Sequence, residues 1–196
     1  MAGHQSAITL VRKLRLARAS CRFTTLSVIG VHYQNQTAKY HMPRLAPPVL
    51  THVCDLDVTL GPPRELGSGN AGQRRIIPIL GGRVSGPRLN GTILHLGADW
   101  QTIFADGMAE LDTRYGFETE DGATIEIRNY GYRHGPAEVI AAIARGEEVD
   151  PASYYMRTHA RLETGDPRYA WVNRTLFVGT GARLDGKVIV SLFALD

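Results

Sequence analysis

Cysteine is scarce: Cys21 and Cys54 are the two in 196 residues. Neither sits in a CxxC or Cys/His spacing that suits zinc, so no disulfide framework and no structural metal is implied. A reducing compartment is then the default. Long apolar runs are missing too, and the longest falls far short of the ~20 residues that a membrane-spanning helix needs. There is no P-loop, no GxSxG elbow, no HExxH and no dinucleotide fingerprint at a strand–helix junction. The glycines of GSGNAGQ lie between strand patterns, so they do not make a phosphate loop. The histidines at 52, 95, 134 and 159 are isolated, and no metal ligand set is expected.

Acidic residues are absent from positions 1–41, which hold six cations: Arg12, Lys13, Arg15, Arg18, Arg22 and Lys39. Without those six, the remaining 16 Lys and Arg face all 19 Asp and Glu, a formal charge of −3. The basicity therefore belongs to a leader, and the rest lacks the electrostatic footprint of a nucleic-acid binder. Leu10, Val11, Leu14 and Ala17 share one helical face of that leader, with Arg12, Lys13 and Arg15 elsewhere. This is the composition of a mitochondrial transit peptide, drawn across a negative-inside membrane. The alternative is an upstream extension ahead of a working start at Met42. The expected location is cytoplasmic in the second case and mitochondrial in the first.

From Leu50 onward the pattern is that of strands. In LTHVCDLDVTL the even positions are apolar apart from His52, the period of two of a half-buried strand. GPPRELGSGNAGQ reads as loop, RRIIPIL as a short strand whose Pro78 favours an edge or bulge, and GGRVSGPRLNG as turns. MAELDTRYGFETEDGATIEIRNYGY is the clearest hairpin. Ala109, Leu111, Tyr115 and Phe117 line one face, Glu110, Asp112, Arg114 and Glu118 the other, and Asp121-Gly122 makes the turn. PAEVIAAIARG is the one helix, with Pro136 in its first turn, Val139, Ile140 and Ile143 as its stripe and Gly146 as its stop. Three strands follow: SYYMRTHARLET, roughly YAWVNRTLFVGTG, and KVIVSLFAL. Eight or more short strands, one short helix and no crossover helices predict an all-β chain, a closed antiparallel barrel or a sandwich.

Four groups of residues could carry chemistry. Asp99 ends an apolar strand beside Trp100, and a carboxylate packed on an indole is desolvated and can hold a proton near neutral pH. Alternatively, Asp99 accepts turn hydrogen bonds and Trp100 fills core. Asp112 and Arg114 share one strand face. They form a polar floor if that face lines a barrel, and ordinary surface charges if it meets water. Tyr155, Arg157 and His159 share a face, with Tyr154, Met156 and Thr158 on the other. Tyrosine with arginine polarises a carbonyl or enolate, or else pairs across strands. Trp171 and Asn173 supply a wall and an orienting amide, or an aromatic core and a turn amide. Asn129 is a weaker candidate of the same kind.

The stretches GQRRIIPILGG (72–82), GPRLNG (86–91), GADWQ (97–101), AELDTRYGFETEDGA (109–123), RHGPAEV (133–139), YYMRT (154–158), ETGDPRYAWVNRTLFVG (163–179) and the closing VIVSLF together resemble the domain-of-unknown-function family 3237. The resemblance runs from about Pro47 to the C-terminus and does not cover residues 1–41. A Val172-Asn173 pair stands where Leu-Asn is expected, a conservative departure. The resemblance implies a compact antiparallel β-barrel over 47–196. It also implies functional polar positions at Asp99, Trp100, Asp112, Arg114, Tyr155, Arg157, Trp171 and Asn173, without naming a reaction.

The expected function is a cofactor-free enzyme of isomerase, cyclase or hydro-lyase type. It would move protons on a small, partly apolar organic molecule inside the barrel. Asp99 would be the acid or base, Tyr155 a second proton donor, and Arg114 or Arg157 the oxyanion clamp. Trp100, Asp112, Asn129, Trp171 and Asn173 would bind the substrate. The rival expectations are a non-catalytic binding barrel and an interaction module with a filled interior. No nucleic acid and no membrane span are expected, and a homo-oligomer is left open.

Overall fold

The computed structural model describes residues 44–196, so the leader expected at 1–41 lies outside the described residues. Nine strands carry the fold: β1 Leu50–Leu60, β2 Arg64–Ser68, β3 Gln73–Ser85, β4 Gly91–Ile103, β5 Ala109–Thr119, β6 Thr124–His134, β7 Tyr155–Glu163, β8 Phe177–Leu184 and β9 Lys187–Leu195. A helix, α1 (Ala137–Ala144), joins β6 to β7. From β3 to β9 each strand pairs antiparallel with the next. β9 then pairs with β1 and β1 with β3, which closes an eight-stranded barrel. β2 stays outside the ring and pairs with the first residues of β3. Closure leaves the eight strands without an open edge, the risk that short antiparallel strands otherwise carry.

The alternation read from the sequence sets which side chains enter the barrel. Leu111, Tyr115 and Phe117 point inward from β5, with Tyr115 opposite Ile127 and Phe117 opposite Ile125 of β6. The connecting turn holds Gly122 at φ +85°, a conformation that glycine adopts without strain. Cys54, Leu56 and Val58 enter from β1 against Leu192, Val190 and Val188 of β9. At one end Phe117, Ile125, Leu162, Phe177 and Leu192 pack into a dry core. α1 lies toward the other end, where Ile143 packs with Leu111, Tyr154 and Met156. Its apolar stripe and the positive φ of Gly146, +79°, agree with the sequence reading.

Three segments differ from that reading. Gly81–Ser85 is strand, not turn, because β3 runs 13 residues and its second half pairs with β1. Gly82 permits the contact: a Cβ there would sit 2.0 Å from the Asp57 carbonyl oxygen, at φ +139°. The expected irregularity near Pro78 is present as a register shift between Pro78 and Gly82 against β4. Arg64–Ser68, read as loop, is the short exposed β2. Pro167–Arg174, read as part of a strand, is a 3₁₀ helix. Asp166 caps it by accepting from the Arg168 amide, and Pro167 fixes its first turn.

Candidate functional site

The end of the barrel nearer α1 is not filled. Side chains from β1, β3, β4, β5, β6, β7, β8 and β9 surround a cavity of about 40 Å³, room for roughly three water-sized groups. Its walls are apolar on one side (Val58, Ile77, Ile79, Val188, Val190) and polar on the other (Asp99, Gln101, Thr113, Asn129, Arg133, Thr158, Arg183). Gly181 makes room for Met156, which lines the cavity: a Cβ at Gly181 would meet the Met156 side chain at 2.8 Å.

Asp99 enters from β4 and faces Ile77 of β3 and Thr113 of β5 across the ladder. Two residues on, Gln101 also points inward and is buried. Its amide donates to Asp99 Oδ2 at 2.5 Å, and its carbonyl accepts from Arg75 Nε at 2.9 Å. The second bond decides which way round the Gln101 amide lies, since a flipped amide would present its donor to a cation. Burial raises the Asp99 pKa above its ordinary 3.8. Gln101, Thr113, the charge of Arg133 and the Asp112 backbone oppose that rise without cancelling it.

Among the described residues, Asp99 Oδ1, Asn129 Oδ1, Arg133 Nε and Thr158 Oγ1 are four of the five buried side-chain polar atoms without a hydrogen-bond partner, and all four residues line this cavity. Native interiors leave few such atoms, because each costs roughly 1–3 kcal/mol. Their concentration in one cavity is the signature of a site whose partner arrives from outside. Arg133 is 6% exposed, and desolvation lowers its pKa to about 10, so it keeps its charge at neutral pH. Tyr115 faces the same space, and burial pushes its phenol well above 10, which keeps it a neutral donor. No group of three or more His, Cys, Asp or Glu able to hold a metal occurs among the described residues. No described helix is long and apolar enough to cross a membrane.

Of the nine candidates read from the sequence, Asp99 and Asn129 line the cavity. The others lie elsewhere. Trp100, Asp112 and Arg114 meet Arg74 on the outer surface, one residue out of phase with Asp99 and Thr113. Tyr155 and Arg157 point outward from β7, whose inward residues are Met156, Thr158, Ala160 and Leu162. Tyr155 is 44% exposed and stacks on His134. The two faces of β7 were separated correctly, and the inward one is the other. Trp171 and Asn173 sit on the 3₁₀ segment rather than a strand, so their two-residue spacing does not define a shared face. Trp171 packs on Phe177, at the end of β8 away from Arg183, under the Arg88 guanidinium. Asn173 ties Thr164 in place by two backbone hydrogen bonds. Asp99, Arg114, Tyr155, Arg157 and Asn173 therefore do not converge on one pocket.

Gln101, Thr113, Arg133, Thr158 and Arg183 were not singled out from the sequence. Parity carried a signal for some of them: once Asp99 is inside, so is Gln101, and once Asn129 is inside, so is Arg133. Arg183 had no such anchor, because β8 offers inward glycines at 179 and 181 before it.

Comparison with known proteins places this barrel. A UPF0311 protein of Rhodopseudomonas palustris is 43% identical over 141 residues, 72% of this chain and 92% of that protein. The crystal structure of a β-barrel-like protein from Acinetobacter baumannii is 43% identical with a TM-score of 0.70, covering 79% of this chain and all of that one. The hydroalkoxylation enzyme phnH of Penicillium herquei is 32% identical over 84 residues, 43% of this chain and 56% of that protein. Residues 48–195 match the sequence model of a family described as proteins of unknown function, DUF3237. The chain belongs to the DUF3237 family.

Proposed function

We propose that this barrel is an enzyme that moves protons on a small, partly apolar organic molecule, with Asp99 as the acid and base. The carrying observation is a buried carboxyl group in an enclosed cavity, held by Gln101 and raised in pKa by desolvation. A carboxyl in that state exists in both protonation forms closer to neutral pH than a solvated one, as proton transfer requires. Tyr115 offers a hydrogen bond where Tyr155 was expected to be a second proton donor, and Arg133 and Arg183 bring to the cavity the cationic charge expected of Arg114 or Arg157. Val58, Ile77, Ile79 and Val188 give the apolar part of the substrate its walls.

The named chemistry of phnH supports this reading. Hydroalkoxylation adds an alcohol O–H across a carbon–carbon double bond. One C–O bond forms, the π bond is consumed, carbon gains a proton and oxygen loses one. Asp99 in its acid form delivers the proton to carbon, and the hydroxyl proton returns to the carboxylate, so the group ends as it began. The step is redox-neutral and needs no electron acceptor.

The test is a set of unsaturated alcohols and enones incubated with the full-length protein in D₂O and followed by NMR. Expected is ring closure with one deuterium placed at carbon per turnover, because the hydroxyl proton that Asp99 passes on is already exchanged with solvent. Product formed without solvent deuterium at carbon would contradict proton transfer from a titrating group.

A further inference from the structure

Three arginines stand at the α1 end of the cavity. Arg133 and Arg183 line it directly. Both also line an adjoining cleft with Arg75, Pro63 and Ile77, beneath Ile143 and Ala144 of α1. None of the three makes a salt bridge with a described residue. Their commitments are slight: Arg75 Nε to the Gln101 carbonyl, one Arg183 nitrogen to the Lys187 carbonyl, and no partner for the buried Arg133 Nε.

The three also repel one another. Burial lowers the pKa of both Arg133 and Arg183, and the charge of Arg75 lowers both further. Two carboxylates act on them: Asp185 on Arg183, without a salt bridge, and Asp99 on Arg133 and Arg183, and the burial of Asp99 favours its neutral form. Gathering three cations around a desolvated passage costs stability unless an anion completes it. Guanidinium groups match a planar carboxylate with paired, charge-assisted hydrogen bonds.

From this we infer that the substrate is an anion carrying a carboxylate. The carboxylate seats between Arg133 and Arg183 in the adjoining cleft of about 70 Å³, with Arg75 alongside, and the apolar remainder reaches into the barrel cavity toward Asp99. This assignment rests on the proposed function for its chemistry, and on the unpaired arginines alone for its binding. It gives the two polar features separate tasks: the arginines hold a charge that does not change during turnover, and Asp99 handles the proton that does. Substrate binding would also lower the cost of the mutual repulsion between the arginines.

The test uses the full-length protein and three probes in calorimetric titration: benzoate, its neutral isostere benzamide, and inorganic phosphate. Benzoate should bind saturably, with benzamide at least about ten-fold weaker, the usual loss when a charge-assisted hydrogen bond is given up. Arg183→Gln and Arg133→Met should each weaken benzoate by about ten-fold or more and leave benzamide unchanged. Arg183 is half-buried, less so than Arg133, and its substitution is expected to leave the fold intact, so the inference stays testable if the Arg133 variant fails to fold. Asp99→Asn should keep or strengthen benzoate binding, because it removes a negative charge from the site.

Equal affinity for benzoate and benzamide would overturn the inference. So would tighter binding of phosphate than of benzoate, no benzoate binding across the millimolar range, or unchanged benzoate affinity in Arg183→Gln. If benzoate binds as stated while Asp99→Asn turns over normally, the proton-transfer reading fails and the anion site stands. If Asp99→Asn is inactive while benzoate and benzamide bind alike, the anion site fails and the proton-transfer reading stands.

Discussion

Gln101 donates to Asp99 Oδ2 at 2.5 Å while its own carbonyl is held by Arg75, so one amide positions the buried carboxyl and opposes the effect of its burial. The bond favours the charged form and partly offsets the desolvation that raises the pKa. Gln101→Leu should therefore move the limb of the pH–rate profile that belongs to Asp99 to higher pH, whether Asp99 acts first as acid or as base. A limb that stays in place, or moves down, would show that this bond does not set the titration.

Stability should follow the same group. Its native pKa lies above the unfolded value, so its contribution is fully present below about 3.8 and is lost as pH rises through the native value. Asp99→Asn does not titrate. The melting temperature of that variant minus that of the native protein should be smallest in acid and grow as pH rises from about 4 toward neutrality. A difference that is flat across this range would mean that Asp99 is not desolvated in solution.

The outward residues should be silent in catalysis. Tyr155→Phe removes a hydroxyl and Arg157→Ala a guanidinium on the solvent face of β7, and each should leave turnover within about two-fold and stability within about 0.5 kcal/mol. A loss of a hundred-fold from either would return the outer face to the mechanism.

Barrel closure depends on β1 meeting β3, and at Gly82 any side chain would collide with the β1 backbone. Gly82→Ala would place a methyl group against the Asp57 carbonyl at a backbone angle that alanine disfavours. The expected cost is about 2–4 kcal/mol, a drop in melting temperature on the order of 10 °C. Calorimetry that finds no change would mean that the contact relaxes freely.

The fold was legible because its signals are local. The two-residue alternation in Leu50–Leu60, the Asp121-Gly122 turn and the Val139, Ile140, Ile143 stripe each report their element without help from distant residues. The site was half legible. The sequence separates the two faces of a strand, but which face is inside depends on neighbours far along the chain. On β7 both faces hold plausible chemistry, Tyr155 and Arg157 against Met156 and Thr158, and the more reactive-looking face is the outer one. On β4 Asp99 was singled out for its neighbour Trp100, and the strand places the two on opposite faces. Trp171 and Asn173 were misjudged for a different reason: Asp166-Pro167 starts a 3₁₀ turn, and an apolar run that looked like strand follows it. The arginines were invisible because they come from β3, β6 and β8, and only closure brings them to one end.

The central claim is that Asp99 transfers the proton, and Asp99→Asn tests it most directly. Asparagine keeps the shape and can still bond to Gln101, but it cannot titrate. Turnover in the D₂O assay and affinity for the same substrate should be measured side by side on native protein and variant. The account predicts a fall in turnover on the order of 10²–10⁴-fold, with affinity within about three-fold, a difference under ~1 kcal/mol. Undiminished turnover would contradict it, and so would a loss of affinity as large as the loss of turnover.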